Sequence, residues 1–186
     1  MKLSVLHFLL LAIVLSSCSQ DPTEVYYEDD RNYYDLPSCM RHQVDALNKM
    51  GKHVRKKLTK DGQSQVVEKG DVNWQEELEL FMESDINRPA WRGSFKTDTV
   101  HLDQMLVITY KTDNTEIPVK NVVVTLDKQN KQCLRLTIDR QTDNFLYSSL
   151  QKLFFTPGEG YTVKGHLKVM FLFESEYAVE STFIDG

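Results

Sequence analysis

Side chains able to do chemistry are few and scattered in this chain. Four histidines follow the N-terminal segment: His42, His53, His101 and His166. His42 and His53 share one face of an expected helix, but eleven residues of helical rise hold them about 16 Å apart, too far to share a metal ion. His101 and Asp103 point to one side of an extended segment, with no third ligand beside them. No HExxH, CxxC or EF-hand spacing occurs, nor a GxSxG, SxxK, P-loop or GxGxxG. Glu174 and Glu176 sit at an expected turn, where both face solvent rather than a cleft. What remains is a set of basic groups on expected strands: Arg135, Arg140, Lys164, His166 and Lys168. Brought together they would receive an anionic ligand or a glycan. Kept apart they protect strand edges and keep the domain soluble. The sequence therefore offers no catalytic, metal or cofactor motif; the expected reading is a non-catalytic domain, and a weaker alternative is an enzyme whose site comes from scattered residues.

The thiols say more. Of the three cysteines, Cys18 closes the stretch MKLSVLHFLLLAIVLSSC. Lys2 starts it with a positive charge, and Leu3 to Leu15 form an apolar run shorter than the roughly 20 residues a spanning helix needs. The ending Leu15-Ser16-Ser17-Cys18 resembles the lipobox of bacterial lipoproteins. The resemblance covers residues 1–18 and implies that cleavage leaves Cys18 as the new N-terminus, with diacylglyceryl and N-acyl (palmitate-type) chains. Each buried methylene contributes about 0.8 kcal/mol, so several chains hold a domain firmly to a membrane. In that family an aspartate after the cysteine favours the inner membrane. Here the residue is Ser19, which implies the outer membrane, facing the periplasm or the cell surface. The compartment is oxidising, so Cys39 and Cys133 are candidates for a disulfide, or else two separate thiols, one partly buried.

Without residues 1–17 the chain carries 21 basic and 27 acidic side chains, a net charge of −6. That balance speaks against broad nucleic-acid binding. Residues 19–38, SQDPTEVYYEDDRNYYDLPS, hold no period of 2 or 3.6. They read as an acidic tether reaching roughly 25 Å, with Tyr26-Tyr27 and Tyr33-Tyr34 able to dock on a partner or on the domain itself. The expected division is a signal peptide at 1–17, a tether at 18–38 and one domain at 39–186.

The elements that must position these groups are read from periodicity. Met40, Val44, Leu47, Val54 and Leu58 draw a helical stripe over about 40–59, stopped by Asp61-Gly62, with a basic outer surface. Asn73 and Glu76 form a capping box for a second, acidic helix over about 74–87. Complementary charge predicts that the two lie side by side as an antiparallel pair; the rival is a basic first helix lying on the membrane surface. Strand patterns follow over about 104–111, 119–126, 132–139, 144–155, 161–173 and 177–184, with a seventh candidate near 95–100. Glu174-Ser175-Glu176 reads as the last turn. The expected fold is α+β: the helix pair packed on one face of an antiparallel meander of about six strands.

The reading for function is a lipid-anchored envelope lipoprotein with a binding or scaffolding domain, its partner an envelope protein, a glycan or a lipid. The alternative is a lipid or lipoprotein carrier. The general pattern resembles the outer-membrane lipoprotein-receptor fold, which implies an acyl-chain cavity between helices and curved sheet; no motif assigns residues to it.

Overall fold

A computed structural model describes residues 33–186. The N-terminal segment, Cys18 and the tether up to residue 32 lie outside the described residues. The elements are helix α1 (Leu36–Lys49), strands β1 (His53–Lys60) and β2 (Gln63–Lys69), single-turn helices α2 (Trp74–Glu77) and α3 (Glu79–Met82), a 3₁₀ turn (Pro89–Trp91) and seven more strands. These are β3 (Lys96–His101), β4 (Met105–Lys111), β5 (Val119–Asp127), β6 (Cys133–Asp143), β7 (Tyr147–Thr156), β8 (Gly160–Val169) and β9 (Phe173–Ile184). All nine strands join one antiparallel sheet in the order β2-β1-β9-β8-β7-β6-β5-β4-β3.

This corrects the expected helix pair on six strands. The first helix stops ten residues early, at Lys49. Gly51 adopts φ +58°, Lys52 N–H donates to Leu47 O (3.1 Å) and Gly51 N–H to Asn48 O (3.1 Å). This is a Schellman cap, which uses the left-handed glycine to satisfy the last carbonyls. The basic run 53–60 is then a strand, and Asp61-Gly62 is a two-residue hairpin turn between Lys60 and Gln63 rather than a helix stop. Both turn residues have positive φ (49° and 83°), the type I′ geometry that matches strand twist. A hairpin across the gap of the expected helix pair adds two strands, and β1 pairs with β9.

The second helix is also shorter than its pattern. Asn73 does cap it, its side chain accepting from Glu76 N–H. The run breaks at Leu78 (φ −103°, ψ 8°). Ser84 turns its hydroxyl onto Leu80 O (2.8 Å), and Asp85 accepts from Asn87 N–H (2.9 Å), so local polar bonds replace the helical ladder before residue 87. The complementary charge survives at one contact: Lys56 Nζ of β1 reaches the Glu77 carboxylate of α2 at 2.6 Å.

One face of the sheet packs against the helices. Cross-strand rows such as Leu136–Phe155 and Ile138–Leu153–Val163–Val179 lie on it. Trp74 meets Phe183 edge-on at 5.1 Å, and Phe81 meets Phe155 at 5.7 Å and Tyr161 at 5.8 Å. Side chains with little or no exposure, including Leu36, Met40, Leu47, Leu78 and Ile86, fill this layer.

The folded unit begins before residue 39, the expected tether boundary. Tyr33 and Tyr34 are buried, Tyr33 stacking edge-on against Phe95 (5.3 Å) and Tyr110 (5.5 Å). Asp35 caps α1, accepting from Ser38 N–H (2.9 Å) and Ser38 Oγ (2.7 Å). Two large rings repay their ordering through burial, which an acidic composition average conceals. Among the described residues no helix is long and apolar enough to cross a membrane.

Candidate functional site

Strand alternation decides which side chains can converge. On the sheet face away from the helices, Thr59, Ala178, Lys164, Lys152 and Asp139 form one continuous cross-strand row over β1, β9, β8, β7 and β6. The next row holds Glu176, His166, Leu150 and Gln141. These two rows line a hollow of about 580 Å³. Arg140, Gln151, Gly165 and Tyr177, at the register position between the two rows, also border it. The rim is of mixed charge. Lys152 Nζ stands 3.8 Å from Asp139. His166 Nε2 stands 2.8 Å from Glu174, not aligned as a hydrogen bond, and Lys168 Nζ is 3.5 Å from the same carboxylate.

The expected basic set is thus only partly assembled. Lys164, His166 and Lys168 alternate along β8 on this face. Arg135 shares the face but lies on β6 four residues from Asp139, roughly 13 Å along the strand. Arg140 borders the hollow, but its side chain belongs to the opposite face. Its Nη1 donates to Leu80 O (3.4 Å), and burial lowers its pKa. A shift of one residue along a strand reverses the face, so five basic residues counted in sequence become three beside the carboxylates of Asp139, Glu174 and Glu176.

On the helix side of the sheet the structure forms two polar clusters. In the first, the Glu77 carboxylate receives both Lys56 and the Tyr161 hydroxyl. Burial, then the bond to Glu77, raises the Tyr161 pKa. In the second, Cys39 of α1, Cys133 of β6 and the Tyr34 hydroxyl lie within hydrogen-bonding reach of one another. Both cysteines are free thiols, Cys39 buried and Cys133 half-buried. The hydrogen bond from Cys133 lowers the Cys39 pKa, whereas that same bond and burial raise Cys133. Burial, then the two thiols, raises Tyr34. The sequence named the two cysteines without placing them; α1 lying across the start of β6 brings them together.

Among the described residues no three His, Cys, Asp or Glu side chains gather as a metal site. His53 and His101 stand apart at the start of β1 and the end of β3, and Asp103 lies in the turn after His101.

Sequence reading missed two features. Asp61 accepts from Glu176 N–H (2.9 Å) and Ser175 Oγ (3.1 Å), tying the first hairpin to β9; the Asp-Gly pair was its signal. The second is the true place of two turns. Tyr161–Phe173 is not one strand, because the chain reverses at 170–172, and Glu174-Ser175-Glu176 lies inside β9. The β6–β7 turn likewise falls at 144–146. Both turns carry apolar residues, against the usual polar composition of turns. Compared with known proteins, this chain matches no family model, no curated protein and no solved structure.

Proposed function

We propose that this protein is a lipid-anchored envelope protein whose single domain binds a ligand in the hollow on the open face of its sheet. The hollow carries the binding half of the reading. It combines an apolar floor at Leu150 and Ala178 with hydrogen-bonding groups at Gln141 and Thr59 and charged groups of both signs around them. Such a surface suits a ligand with an apolar body and polar substituents, such as a glycan or a lipid headgroup. The anchor half rests on Leu15-Ser16-Ser17-Cys18.

The layer between helices and sheet is packed with side chains at 0–2% exposure, among them Leu78, Phe81, Leu153 and Phe155. That packing favours a binding surface over an acyl-chain cavity in the same layer.

Two measurements test the proposal. Intact-mass analysis of the native N-terminus should find an acylated Cys18, and Cys18→Ala should release the chain from the membrane fraction. An unmodified, uncleaved start overturns the anchor. Native mass spectrometry of the protein taken from its own membrane should find a bound ligand that Ala178→Trp, which fills the hollow, loses. Equal retention by the variant overturns the site.

A further inference from the structure

The four most exposed apolar side chains of the described domain, with Phe173 beside them, are gathered at two neighbouring hairpin tips. Phe171 is 98% exposed, Phe145 79%, Leu172 77%, Leu146 65% and Phe173 52%. The two tips are bonded together, Met170 N–H donating to Leu146 O at 3.0 Å. Neither Asn144–Tyr147 nor Val169–Phe173 contains a charged residue. Isolated exposed apolar residues are ordinary on a protein surface; a contiguous uncharged cluster marks a surface that meets something.

The shape of the cluster narrows what it meets. The β8–β9 ladder runs to Val169–Phe173, whereas the neighbouring β1–β9 ladder ends at Lys60–Tyr177. Four further residues carry this ladder roughly 13 Å beyond Lys60, the end of β1. On the other flank, the β5–β6 ladder begins at Val119–Arg140, while β6–β7 continues to Asp143–Ser148. The tips therefore project as a blunt, convex wedge. Their backbone is largely satisfied internally: Asn144 N–H donates to Tyr147 O (3.0 Å), Asn144 Oδ1 accepts from Leu146 and Tyr147 N–H (2.8 and 3.0 Å), and Leu172 N–H donates to Val169 O (3.1 Å). Phe171 adopts φ +59°, a conformation that usually selects glycine or asparagine in a turn. An aromatic ring that costs backbone strain and packs on nothing in its own fold contributes elsewhere.

The lipoprotein reading, with the place of Tyr33, supplies the partner. Tyr33 Oη accepts from Phe95 N–H (3.1 Å) just before β3, whose first residue Lys96 pairs with Lys111 at the same end of the sheet as the tips. The side chain of Tyr33, the first described residue, packs at that end. We infer that the Phe145–Leu146 and Met170–Phe173 tips insert into the interfacial region of a lipid bilayer, the one holding the anchor. The apolar tips would enter the headgroup–acyl boundary, with the Lys168–Glu174 pair at their base left in water. The choice of a bilayer, and of the anchor's own, rests on the lipoprotein reading.

The test uses the full-length chain with vesicles of phosphatidylcholine and phosphatidylethanolamine, some carrying brominated acyl chains. Phe171→Trp, and Phe145→Trp as a second reporter, should shift to shorter emission wavelength. Brominated chains should quench either reporter at least twofold beyond the background of Trp74 and Trp91. Val66→Trp on edge strand β2, at a site 63% exposed, should be quenched by aqueous iodide instead. Replacing Phe145 and Phe171 by aspartate should remove insertion while leaving the melting curve in place. No lipid quenching at saturating vesicles overturns the inference, whether or not Cys18 carries lipid. Vesicle flotation with no tip quenching would leave the anchor intact and refute only the insertion. A concentration-dependent blue shift without vesicles would assign the tips to a second copy of the chain and overturn it as well.

Discussion

The ring of Tyr177 lies across Gly165 on the neighbouring strand, and its hydroxyl accepts a hydrogen bond from Gln151 Nε2 one strand further on, at 2.7 Å. A Cβ on Gly165 would overlap Cζ, Cε1 and Oη of that ring. Glycine here is thus a matter of space rather than of backbone conformation. Gly165→Ala should destabilise the fold by about 1–3 kcal/mol through forced displacement of the ring. Tyr177→Phe, which loses only the hydrogen bond, should cost about 0.5–1.5 kcal/mol. Urea denaturation of both variants and of Gly165→Ala/Tyr177→Ala checks this, because the overlap vanishes when the ring is absent.

The Lys56–Glu77 contact should behave as a partly buried ion pair. The Glu77 side chain is 10% exposed and that of Lys56 23%. Lys56→Met leaves the carboxylate with Tyr161 as its remaining side-chain donor and should cost about 2 kcal/mol, below the value for fully buried pairs. Lys56→Met/Glu77→Gln should recover much of the loss, since no uncompensated charge remains. Absorbance titration should find Tyr161 un-ionised beyond the ordinary tyrosine range, the direction set first by its burial.

Asp61 should make the first hairpin acid-sensitive. The Glu176 N–H, followed by the Ser175 hydroxyl, holds its carboxyl below the usual aspartate range. A value depressed by folding stabilises above the unfolded pKa, and that contribution is lost as pH falls through the folded value. Asp61→Asn keeps a residue that tolerates the left-handed turn but has one acceptor oxygen for two donors. It should melt below wild type at pH 7, with the gap closing under about pH 4. Thermal melts between pH 2 and 7 measure this directly.

Cys39 and Cys133 should form a disulfide when the purified chain is exposed to oxidised glutathione. Cys39, the thiol with the lowered pKa, attacks the glutathione disulfide, and Cys133 then displaces reduced glutathione from the mixed disulfide. The bond would close a loop of 94 residues, for which chain entropy predicts roughly 4–5 kcal/mol. Intact mass should fall by the two lost hydrogens, about 2 Da. The melting temperature should rise, and Cys133→Ala should abolish both changes. An unchanged thiol count after oxidation would show the pair to be structural thiols only.

Local pattern in the sequence determined where most strands run, because alternation such as Leu134, Leu136 and Ile138 is a direct record of one wet and one dry face. It also determined the Asn73 cap of α2. What it could not determine was how far each local preference would extend against a competing one. Met40, Val44, Leu47, Val54 and Leu58 satisfy a helical period, yet Gly51 can end that helix and Asp61-Gly62 can reverse a strand; pairing of β1 with the last strand β9 decided between them. Such a pairing joins residues more than a hundred positions apart, so no window of sequence contains it. The same holds for the site. Arg140 and Lys164 were equal members of a basic set until register placed them on opposite faces. The tertiary structure alone decided that two uncharged turns, Asn144–Tyr147 and Val169–Phe173, stand side by side, because their adjacency belongs to the β7–β8 ladder rather than to either turn.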